Sequence, residues 1–240
     1  MSAVTPAAPP VRIREITSRT DAALASAYEL LRATFARHER INLGEWRAVL
    51  REREAEVWID FAWHLIVAER QGEVLGLVTG TFIGSVGVAV IGYLAISPTI
   101  RGGGLGTRLR ERLRTEFSRD AQRLDMPLDA IMGEVSRVNP WLQSLARRPQ
   151  MLVLDLPYYQ PSLHFFDRSS AFVLYYESTG RPRASLPMLE LRRILYAIWR
   201  QAYRLPRPLE RRAFRRMLRA LERRRHVGRH PDFFPSFEQR

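Results

Sequence analysis

Two hydrophobic periods alternate along the first 180 residues, and together they predict a mixed α/β domain. Alternation of apolar and polar residues predicts strands, whereas apolar residues at spacings of three and four predict amphipathic helices. The predicted strands cover residues 11–17, 63–69, 73–82, 86–97, 128–135, 151–158 and 171–177. The predicted helices cover residues 21–38, 44–57, 104–124 and 141–147, with Asp21 as the N-cap of the first helix.

The segment of residues 74–100 carries no charged side chain and is long enough to cross a bilayer. However, five glycines interrupt it and Pro98 lies near its end. The cluster from Gly84 to Gly87 is typical of a turn between two β-rich halves. The pattern therefore favours a buried hairpin, and we expect no transmembrane segment.

Two further helical patterns follow in residues 187–203 and 208–225, separated by Pro206 and Pro208. The apolar side of the first pattern consists of Leu189, Ile194, Leu195 and Ile198. The apolar stripe of the second consists of Leu209, Ala213, Phe214, Met217, Leu218 and Leu221. The opposite face of the second pattern consists of Arg211, Arg212, Arg215, Arg216, Arg219 and Arg223.

Positive charge is concentrated in this last part of the chain. Residues 181–240 hold 17 arginines and 5 acidic residues, so they contribute +12 to a formal net charge of +13. A basic amphipathic helix can lie on an anionic membrane, follow a nucleic-acid backbone or contact an acidic partner. It can equally pack its apolar stripe on the domain and leave its arginines in water. Aromatic residues are not interleaved with the arginines, which weakens an interpretation as specific RNA binding.

These patterns divide the chain into three predicted parts. They are a disordered Ala- and Pro-rich lead (residues 1–10), a globular domain (residues 11–180) and an Arg-rich helical extension (residues 181–240). The chain contains no cysteine, which excludes disulfides, thiolate metal sites and a cysteine nucleophile. The lack of cysteine and of a signal-peptide pattern fits a cytoplasmic location.

The most informative run extends from Ile96 to Thr107, where a glycine cluster joins a predicted strand to a predicted helix. Glycines leave backbone N–H groups uncovered, and the first turn of a helix adds unpaired donors and a positive dipole end. Such a turn can bind phosphate or pyrophosphate. A Walker loop requires lysine, which the chain lacks, and the G-x-G-x-x-G fingerprint fails because Thr107 occupies its last position. A helix-capping turn without a ligand is the structural alternative.

Residues 101–106 read RGGGLG and match the pattern R-G-x-G-x-G, and residues 93–98 before them read YLAISP. Together they resemble the strand and pyrophosphate signature that bind coenzyme A in the GCN5-related N-acetyltransferase (GNAT) superfamily. The predicted order β-α-α-β-β-β-α-β-α-β-β is similar to that superfamily over about residues 11–177. The resemblance implies an α/β (α+β) GNAT fold, in which helices flank a mixed central sheet of about seven strands. The C-terminal helical extension lies outside it.

The resemblance further implies an acyl-CoA, with acetyl-CoA first, as co-substrate and no metal. In the superfamily the long strand carries a bulge and its neighbour diverges, so that the pantetheine arm inserts like an additional strand. Backbone groups of Leu94 and Ile96 would then face pantetheine and the thioester, and the glycine amides would face the pyrophosphate. The residues expected to bind the cofactor are Leu94, Ala95, Ile96, Arg101, Gly102, Gly103, Gly104, Leu105, Gly106, Thr107 and Asn139.

Direct attack of an amine on the thioester, as the resemblance implies, requires a base for the amine proton and an acid for the leaving thiolate. Glu134 is the first candidate base, because it lies on the diverging strand and partial burial would raise its pKa. A structural, salt-bridged glutamate is the alternative. The superfamily usually supplies the acid as a tyrosine of the next helix, but residues 141–150 contain none. Tyr158 or Tyr159 is the candidate substitute, and either could instead line the acceptor pocket or pack in the core.

We therefore expect an acyl-CoA-dependent N-acyltransferase, most simply an acetyltransferase, that acts on a small-molecule or peptide amine. The missing helix tyrosine leaves open a non-catalytic acyl-CoA-binding regulatory module. The basic extension leaves open a transferase for a macromolecular acceptor, such as tRNA or protein, recruited through RNA or an acidic partner. A homodimer also stays open.

His226 and His230 have i, i+4 spacing without an accompanying carboxylate pattern, so we expect no metal site.

Overall fold

A computed structural model describes residues 9–100, 102–161 and 171–233. Its strands are β1 (Arg12–Glu15), β2 (Phe61–Arg70), β3 (Glu73–Ile83), β4 (Val88–Ile96), β5 (Ala130–Val135), β6 (Met151–Val153), β7 (Tyr158–Tyr159), β8 (Ala171–Ser178), β9 (Ser185–Pro187) and β10 (His226–Gly228). Its α-helices are α1 (Ala23–Thr34), α2 (Leu43–Glu54), α3 (Leu105–Arg123), α4 (Pro140–Ala146), α5 (Met188–Ala197) and α6 (Arg212–Leu221). A π-helical turn, Ile198–Ala202, continues α5, and 3₁₀ turns include Pro98–Ile100 and Pro208–Glu210.

The main sheet runs in the order β1-β2-β3-β4-β5-β8-β6, with β7 paired to β8 beside it. Strands β4 and β5 are parallel, and the other neighbours on this path are antiparallel. The predicted mixed sheet of about seven strands flanked by helices is therefore confirmed. Strands β3 and β4 form the hairpin predicted for residues 74–100, and its turn ends at Gly87 with φ of 63°. In the described ranges, no helix is both long enough and apolar enough to cross a membrane.

Strand β4 contains a β-bulge that reverses the direction of its side chains. Thr79 of β3 faces two residues of β4, Gly92 and Tyr93, and its hydroxyl accepts a hydrogen bond from the Tyr93 N–H at 3.0 Å. A Cβ on Gly92 would lie 2.9 Å from the same hydroxyl, so the close approach requires glycine. Beyond the bulge, Tyr93 and Ala95 pack with α1 and α2, whereas Leu94 faces α3. A strand of uniform alternation would place these side chains on the opposite faces.

Helices cover both faces of the sheet. On one face, α1 and α2 pack over β2 and β3 around residues such as Trp46 and Leu65. On the other face, α3 packs across β2 to β4. The four-residue spacing predicted for α3 is confirmed, since all of its apolar positions are buried: Leu105, Leu109, Leu113, Phe117 and Ala121.

The C-terminal segment continues the α1 and α2 side of the sheet, opposite α3. Leu191, Ile194 and Trp199 share one hydrophobic cluster with Val90 of β4 and Met132 of β5. The antiparallel pair β9–β10 brings the chain back beside this cluster after α6. The division of the chain at residue 180 stays a prediction about folding units. In the structure, residues from both sides of residue 180 build the same core.

The strand predicted for residues 151–158 is interrupted, and the pair β9–β10 was not predicted. After β6, Leu154 bridges to Arg229 while its N–H still donates to the Leu174 carbonyl of β8 at 2.9 Å, and the Asp155 N–H then donates to the Gly228 carbonyl at 3.0 Å. Pro157, which has no N–H to donate, then precedes β7. The alternation of residues 151–158 gives no sign that their hydrogen-bond partners change. Every second side chain stays in the same hydrophobic cluster throughout: Leu152, Leu154, Leu156 and Tyr158.

Two residues assigned to apolar stripes are exposed. Leu189 is 62 % exposed, since it lies two residues, or about 200° of helix rotation, from the buried Leu191. Leu209 is 55 % exposed, since it belongs to the 3₁₀ turn Pro208–Glu210 rather than to α6. The rest of the predicted stripe of α6 faces the core, with Phe214, Met217 and Leu221 fully buried.

A buried charge cluster joins α3 to the sheet. His64 of β2 is 4 % exposed and lies between two carboxylates, with Nδ1 2.7 Å from Glu15 and Nε2 2.6 Å from Asp120. Arg53 pairs with Glu15, and Arg123 pairs with Asp120 at 3.1 Å. Burial alone would lower the pKa of His64, but its hydrogen bonds to both carboxylates outweigh burial and raise it. The imidazole is therefore held in its charged form.

We predict that His64→Gln lowers the free energy of unfolding by about 3 kcal/mol, because it leaves two buried carboxylates short of a cation. Because folding raises the pKa of His64, the charged imidazole stabilises the folded state. This stabilisation is complete below the pKa of the unfolded group, about 6.5, and is lost as the pH rises through the pKa of the folded group. Urea unfolding across pH should therefore show a wild-type advantage that shrinks with rising pH. The exposed His38→Gln is the control, and equal midpoints for wild type and His64→Gln would contradict the prediction.

Candidate active site

The glycine turn between β4 and α3 is open. Gly102 and Gly104 have φ of 89° and 71°, which favour glycine, and a Cβ at either position would meet nothing within 4 Å. Gly104 is the N-cap of α3 and no side-chain hydrogen bond caps the helix there. The first-turn amides of Leu105, Gly106 and Thr107 have no intrahelical acceptor. This turn therefore presents a set of N–H donors at the positive end of a 19-residue helix.

Strands β4 and β5 diverge directly beside this turn. Their parallel pairing ends at Ile91 and Gly133, although both strands continue beyond that point. A cavity of about 540 Å³ fills the gap and extends to the glycine turn. The bulge and the divergence expected of this strand pair are thus both present. The cavity is lined by Phe35, Glu39, Ile91, Gly92, Tyr93, Leu94, Gly104, Gly106, Thr107, Arg110, Glu111, Gly133, Glu134, Val135, Ser136, Asn139, Trp141, Arg148, Gln160, Phe172 and Tyr175.

The residues predicted to bind a cofactor divide into two groups. Five of them line the cavity: Leu94, Gly104, Gly106, Thr107 and Asn139. The Asn139 side chain also caps α4, by accepting a hydrogen bond from the Trp141 N–H at 3.0 Å.

The second group lies outside the cavity lining. The side chains of Ala95 and Leu105 are buried in the core, that of Ile96 packs against α3, and Gly102 and Gly103 are exposed in the turn. These five residues could act only through backbone groups. Arg101 lies outside the described residues.

Glu134 lies on the cavity wall where β5 leaves β4. The alternation of β5 directs Ala130, Met132 and Glu134 to the side of the sheet covered by the C-terminal segment. Burial raises the pKa of Glu134 to about 7, and hydrogen bonds from Tyr158 and Tyr203 limit the rise. A carboxyl group that titrates near neutral pH can accept or release a proton at little cost.

The two tyrosines predicted as acid candidates lie in different surroundings. The Tyr158 hydroxyl donates a hydrogen bond to Glu134 Oε1, and the ring is 1 % exposed and outside the cavity lining. Tyr159 points toward α6, where the guanidinium of Arg216 lies 4.9 Å from the ring centroid. The structure therefore brings Tyr158 to Glu134 and leaves Tyr159 apart from both. The phenols that do line the cavity are those of Tyr93 and Tyr175.

Tyr203, which the sequence interpretation did not single out, also contacts Glu134. Its hydroxyl donates to Glu134 Oε2 at 2.5 Å, from the residue that ends the π-helical turn. The pattern of residues 187–203 placed this tyrosine at the end of a helix, and the alternation of β5 placed Glu134 on one face. Nothing in either pattern states that these two positions, 69 residues apart, meet.

The end of the cavity remote from α3 combines aromatic and polar groups. Phe35 lies edge-on to Tyr93 at 5.2 Å between centroids, and the Tyr93 hydroxyl donates to the Glu39 carbonyl at 2.9 Å. Gln160 and Phe172 complete this end. Arg110 and Arg148 also line the cavity, and the Arg110 guanidinium forms a buried ion pair with Glu177. The open amides of the glycine turn and the Arg148 guanidinium therefore suit an anion.

In the described part of the chain, no three His, Cys, Asp or Glu side chains are grouped as metal ligands. His226 begins β10, and His230 lies near Arg137 and Asp232 at the surface. Neither histidine lines the cavity.

Comparison with known proteins agrees with this architecture. Residues 25–125 match the model of the acetyltransferase (GNAT) family. A Bacteroides thetaiotaomicron protein assigned to the GNAT family is 20 % identical, with a TM-score of 0.57 over 81 % of this chain and 99 % of that one. A Staphylococcus epidermidis protein assigned as an acetyltransferase is 13 % identical, with a TM-score of 0.51 over 71 % and 100 %.

The N-acetyltransferase PaiA of Thermoplasma acidophilum, solved with coenzyme A, is 13 % identical, with a TM-score of 0.48 over 70 % of this chain and 99 % of that one. No curated protein matches the chain in sequence. The family match spans α1, α2, β2 to β4 and α3, so it includes β4 and the first turns of α3 that line one part of the cavity, whereas β5 with Glu134 lies outside it. The similarity to the acetyltransferase (GNAT) family is therefore established over residues 25–125.

Proposed function

We propose that the protein is an acyl-CoA-dependent N-acyltransferase that transfers an acyl group, most simply acetyl, directly to an amine. The observation that carries the proposal is one continuous cavity that joins the uncapped first turn of α3 to the half-buried Glu134. A diphosphate needs the first feature, and deprotonation of an amine needs the second. Acetyl is the group named in the matching family.

In this proposal the chain supplies binding, orientation and proton transfer. The amides of Gly104, Gly106 and Thr107 hold the phosphates of the acyl-CoA. The unpaired edge of β4 beyond Ile91 offers backbone groups to the pantetheine arm. The acyl-CoA supplies the thioester. Glu134, as the base, accepts the proton that the amine nitrogen loses when it forms the new amide bond.

The glycine turn gives the first test of this proposal. Gly106→Asp places a carboxylate at the second position of α3, where a Cβ has ordinary contacts at 3.8 and 3.9 Å. An acid in the first turn favours the helix but repels a diphosphate. We expect the Kd for coenzyme A, measured by isothermal titration calorimetry, to rise at least tenfold while Tm stays equal or increases. Gly106→Asn is the matched neutral control and should lose less. Unchanged affinity in Gly106→Asp would exclude the turn as the diphosphate site.

Glu134 gives the second test. Because burial raises its pKa to about 7 and a base acts in its ionised form, kcat/KM should rise with pH through about 7 and then level off. Glu134→Gln should lower kcat/KM by about 10²- to 10⁴-fold and abolish this dependence, with coenzyme A affinity unchanged. Release of free thiol with a panel of amines is the assay. The exposed Glu73→Gln is the control, and full activity in Glu134→Gln would reject Glu134 as the base.

A second candidate function is transfer to a macromolecular acceptor that the basic extension recruits, and one observation favours it. In the described residues, Arg212, Arg215, Arg219 and Arg223 of the α6 region are exposed and have no carboxylate within 4.0 Å. Elsewhere some exposed arginines, such as Arg32, are ion-paired, and others, such as Arg47 and Arg108, are not, so the α6 region differs in having four of them close together. Arginines without acidic partners are available to a polyanion such as RNA.

We predict that Arg212→Gln/Arg215→Gln/Arg219→Gln weakens binding of a labelled single-stranded RNA and flattens its dependence on salt. Each phosphate contact that is lost should reduce the slope of log K against log[salt] by about 0.7. The control is Arg32→Gln/Arg119→Gln/Arg123→Gln, which removes equal charge from exposed but ion-paired arginines. An equal effect of both variants would mean that net charge, and not the α6 face, governs binding.

A further inference from the structure

We infer that the C-terminal segment completes the catalytic centre, with Tyr203 as a positioning residue that holds the Glu134 carboxylate together with Tyr158. The inference rests on the proposed function of Glu134 as the base. It assigns a role to a residue outside the part of the chain that matches the family model, residues 25–125.

Each of the two phenols donates a hydrogen bond to a different oxygen of the Glu134 carboxylate. Tyr158 donates to Oε1 from β7, and Tyr203 donates to Oε2 at 2.5 Å from the end of the π-helical turn. Each carboxylate oxygen has two lone pairs, so one remains on each for a proton from the cavity side. With both oxygens held, the carboxylate plane cannot rotate freely about the side chain. The hydrogen bonds thus fix the direction from which Glu134 can accept a proton.

Tyr203 is itself held by a strained, anchored backbone. Its N–H donates to the Ile198 carbonyl at 3.0 Å, which closes the π-helical turn. The next residue, Arg204, has φ of 56°, a left-handed conformation that is unfavourable for a non-glycine residue. An ion pair with Glu52 of α2, with Arg204 Nη1 2.8 Å from Oε2, accompanies this conformation. The C-terminal segment is therefore tied to α2 immediately after the phenol that touches Glu134.

The surroundings of Glu134 give these hydrogen bonds a direct effect on its ionisation. The titratable groups that face it are Tyr158 from β7, Tyr203 from the C-terminal segment and Tyr93 from β4. The charged residues Glu39, Arg110, Glu111 and Arg148 line the same cavity, and none of them makes a hydrogen bond or ion pair with Glu134. Burial favours the neutral carboxyl, and the two phenol donors favour the carboxylate. Burial also raises the pKa of both phenols, so they stay protonated as donors.

The proton balance of the step is simple. The amine nitrogen forms a bond to the acyl carbon, and its proton moves to a free lone pair of Glu134. The carbon–sulfur bond breaks with its electron pair on sulfur, and coenzyme A leaves as a thiolate that takes a proton from water. Tyr158 and Tyr203 keep their own protons throughout. Loss of either phenol would raise the pKa of Glu134, because only the burial penalty and one donor would remain.

The test compares Tyr203→Phe with Tyr196→Phe, a 40 % exposed tyrosine on α5. Both variants keep the ring and lose one hydroxyl. A hydrogen bond to a charged group corresponds to about one to two pH units of pKa. We expect Tyr203→Phe to move the acidic limb of the kcat/KM profile upward by that amount and to lower kcat/KM at pH 7 about tenfold or more. Activity should recover at higher pH and coenzyme A affinity should not change. Tyr196→Phe should resemble wild type.

A second variant and a direct titration keep the test decisive. Glu52→Gln weakens the anchor of Arg204 and leaves both phenols in place, so it should move the limb in the same direction by less. Carbon-13 NMR of labelled glutamate side chains, assigned with Glu134→Gln, measures the same change in pKa without turnover. An unchanged Glu134 pKa in Tyr203→Phe overturns this inference. Failure of the proposed function is a different result, because the wild type would then transfer no acyl group to any amine while the NMR comparison still holds.

Discussion

One extra residue in β4 sets the geometry near the cavity. Because Gly92 and Tyr93 together face Thr79, the strand changes which side chains point to each face halfway along its length. Its first half can pair with β5, and its second half presents unpaired backbone groups to the cavity. The glycine turn follows directly, so the same strand delivers both the free edge and the uncapped first turn of α3. Without the bulge, Tyr93 would face α3 and the cavity would lose one wall.

Local features of this arrangement could be predicted from the sequence, because each depends on a few neighbouring residues. The RGGGLG run predicted an open turn, the four-residue spacing predicted the buried face of α3, and the glycine-interrupted segment predicted the hairpin. The bulge and the diverging strands came from the family resemblance rather than from periodicity. Glu134 was singled out for the same reason, and the structure places it on the cavity wall with a pKa near 7.

Features that depend on distant partners could not be predicted in the same way. The meeting of Tyr203 with Glu134 is set by how α5 packs on the sheet. The change of hydrogen-bond partners after β6 leaves no trace in the alternating pattern. Leu152, Leu154 and Leu156 stay in the same hydrophobic cluster on both sides of that change. The exposed Leu209 shows a related limit, since a 3₁₀ turn shifts the phase of the helical pattern before α6 begins.

Two enclosed carboxylates show how the choice of partner decides their chemistry. Burial would raise the pKa of Glu15, but hydrogen bonds from His64 and Arg53 outweigh it and hold the pKa at about 2. Glu134 has phenols in place of cations, and its pKa is about 7. Glu15 is therefore a permanent anion that helps fix α3 on the sheet. Glu134 remains able to exchange a proton, which is the property that the proposed reaction requires.

The contact between Arg204 and Glu52 spans 152 residues of the chain. During synthesis from the N-terminus, all the strands that flank the cavity leave the ribosome before Arg204 does. Until Tyr203 is in place, Glu134 can receive the hydrogen bond from Tyr158 and lacks the second one. The proposed base thus acquires its complete surroundings only when the segment that carries Tyr203 and Arg204 packs on the sheet.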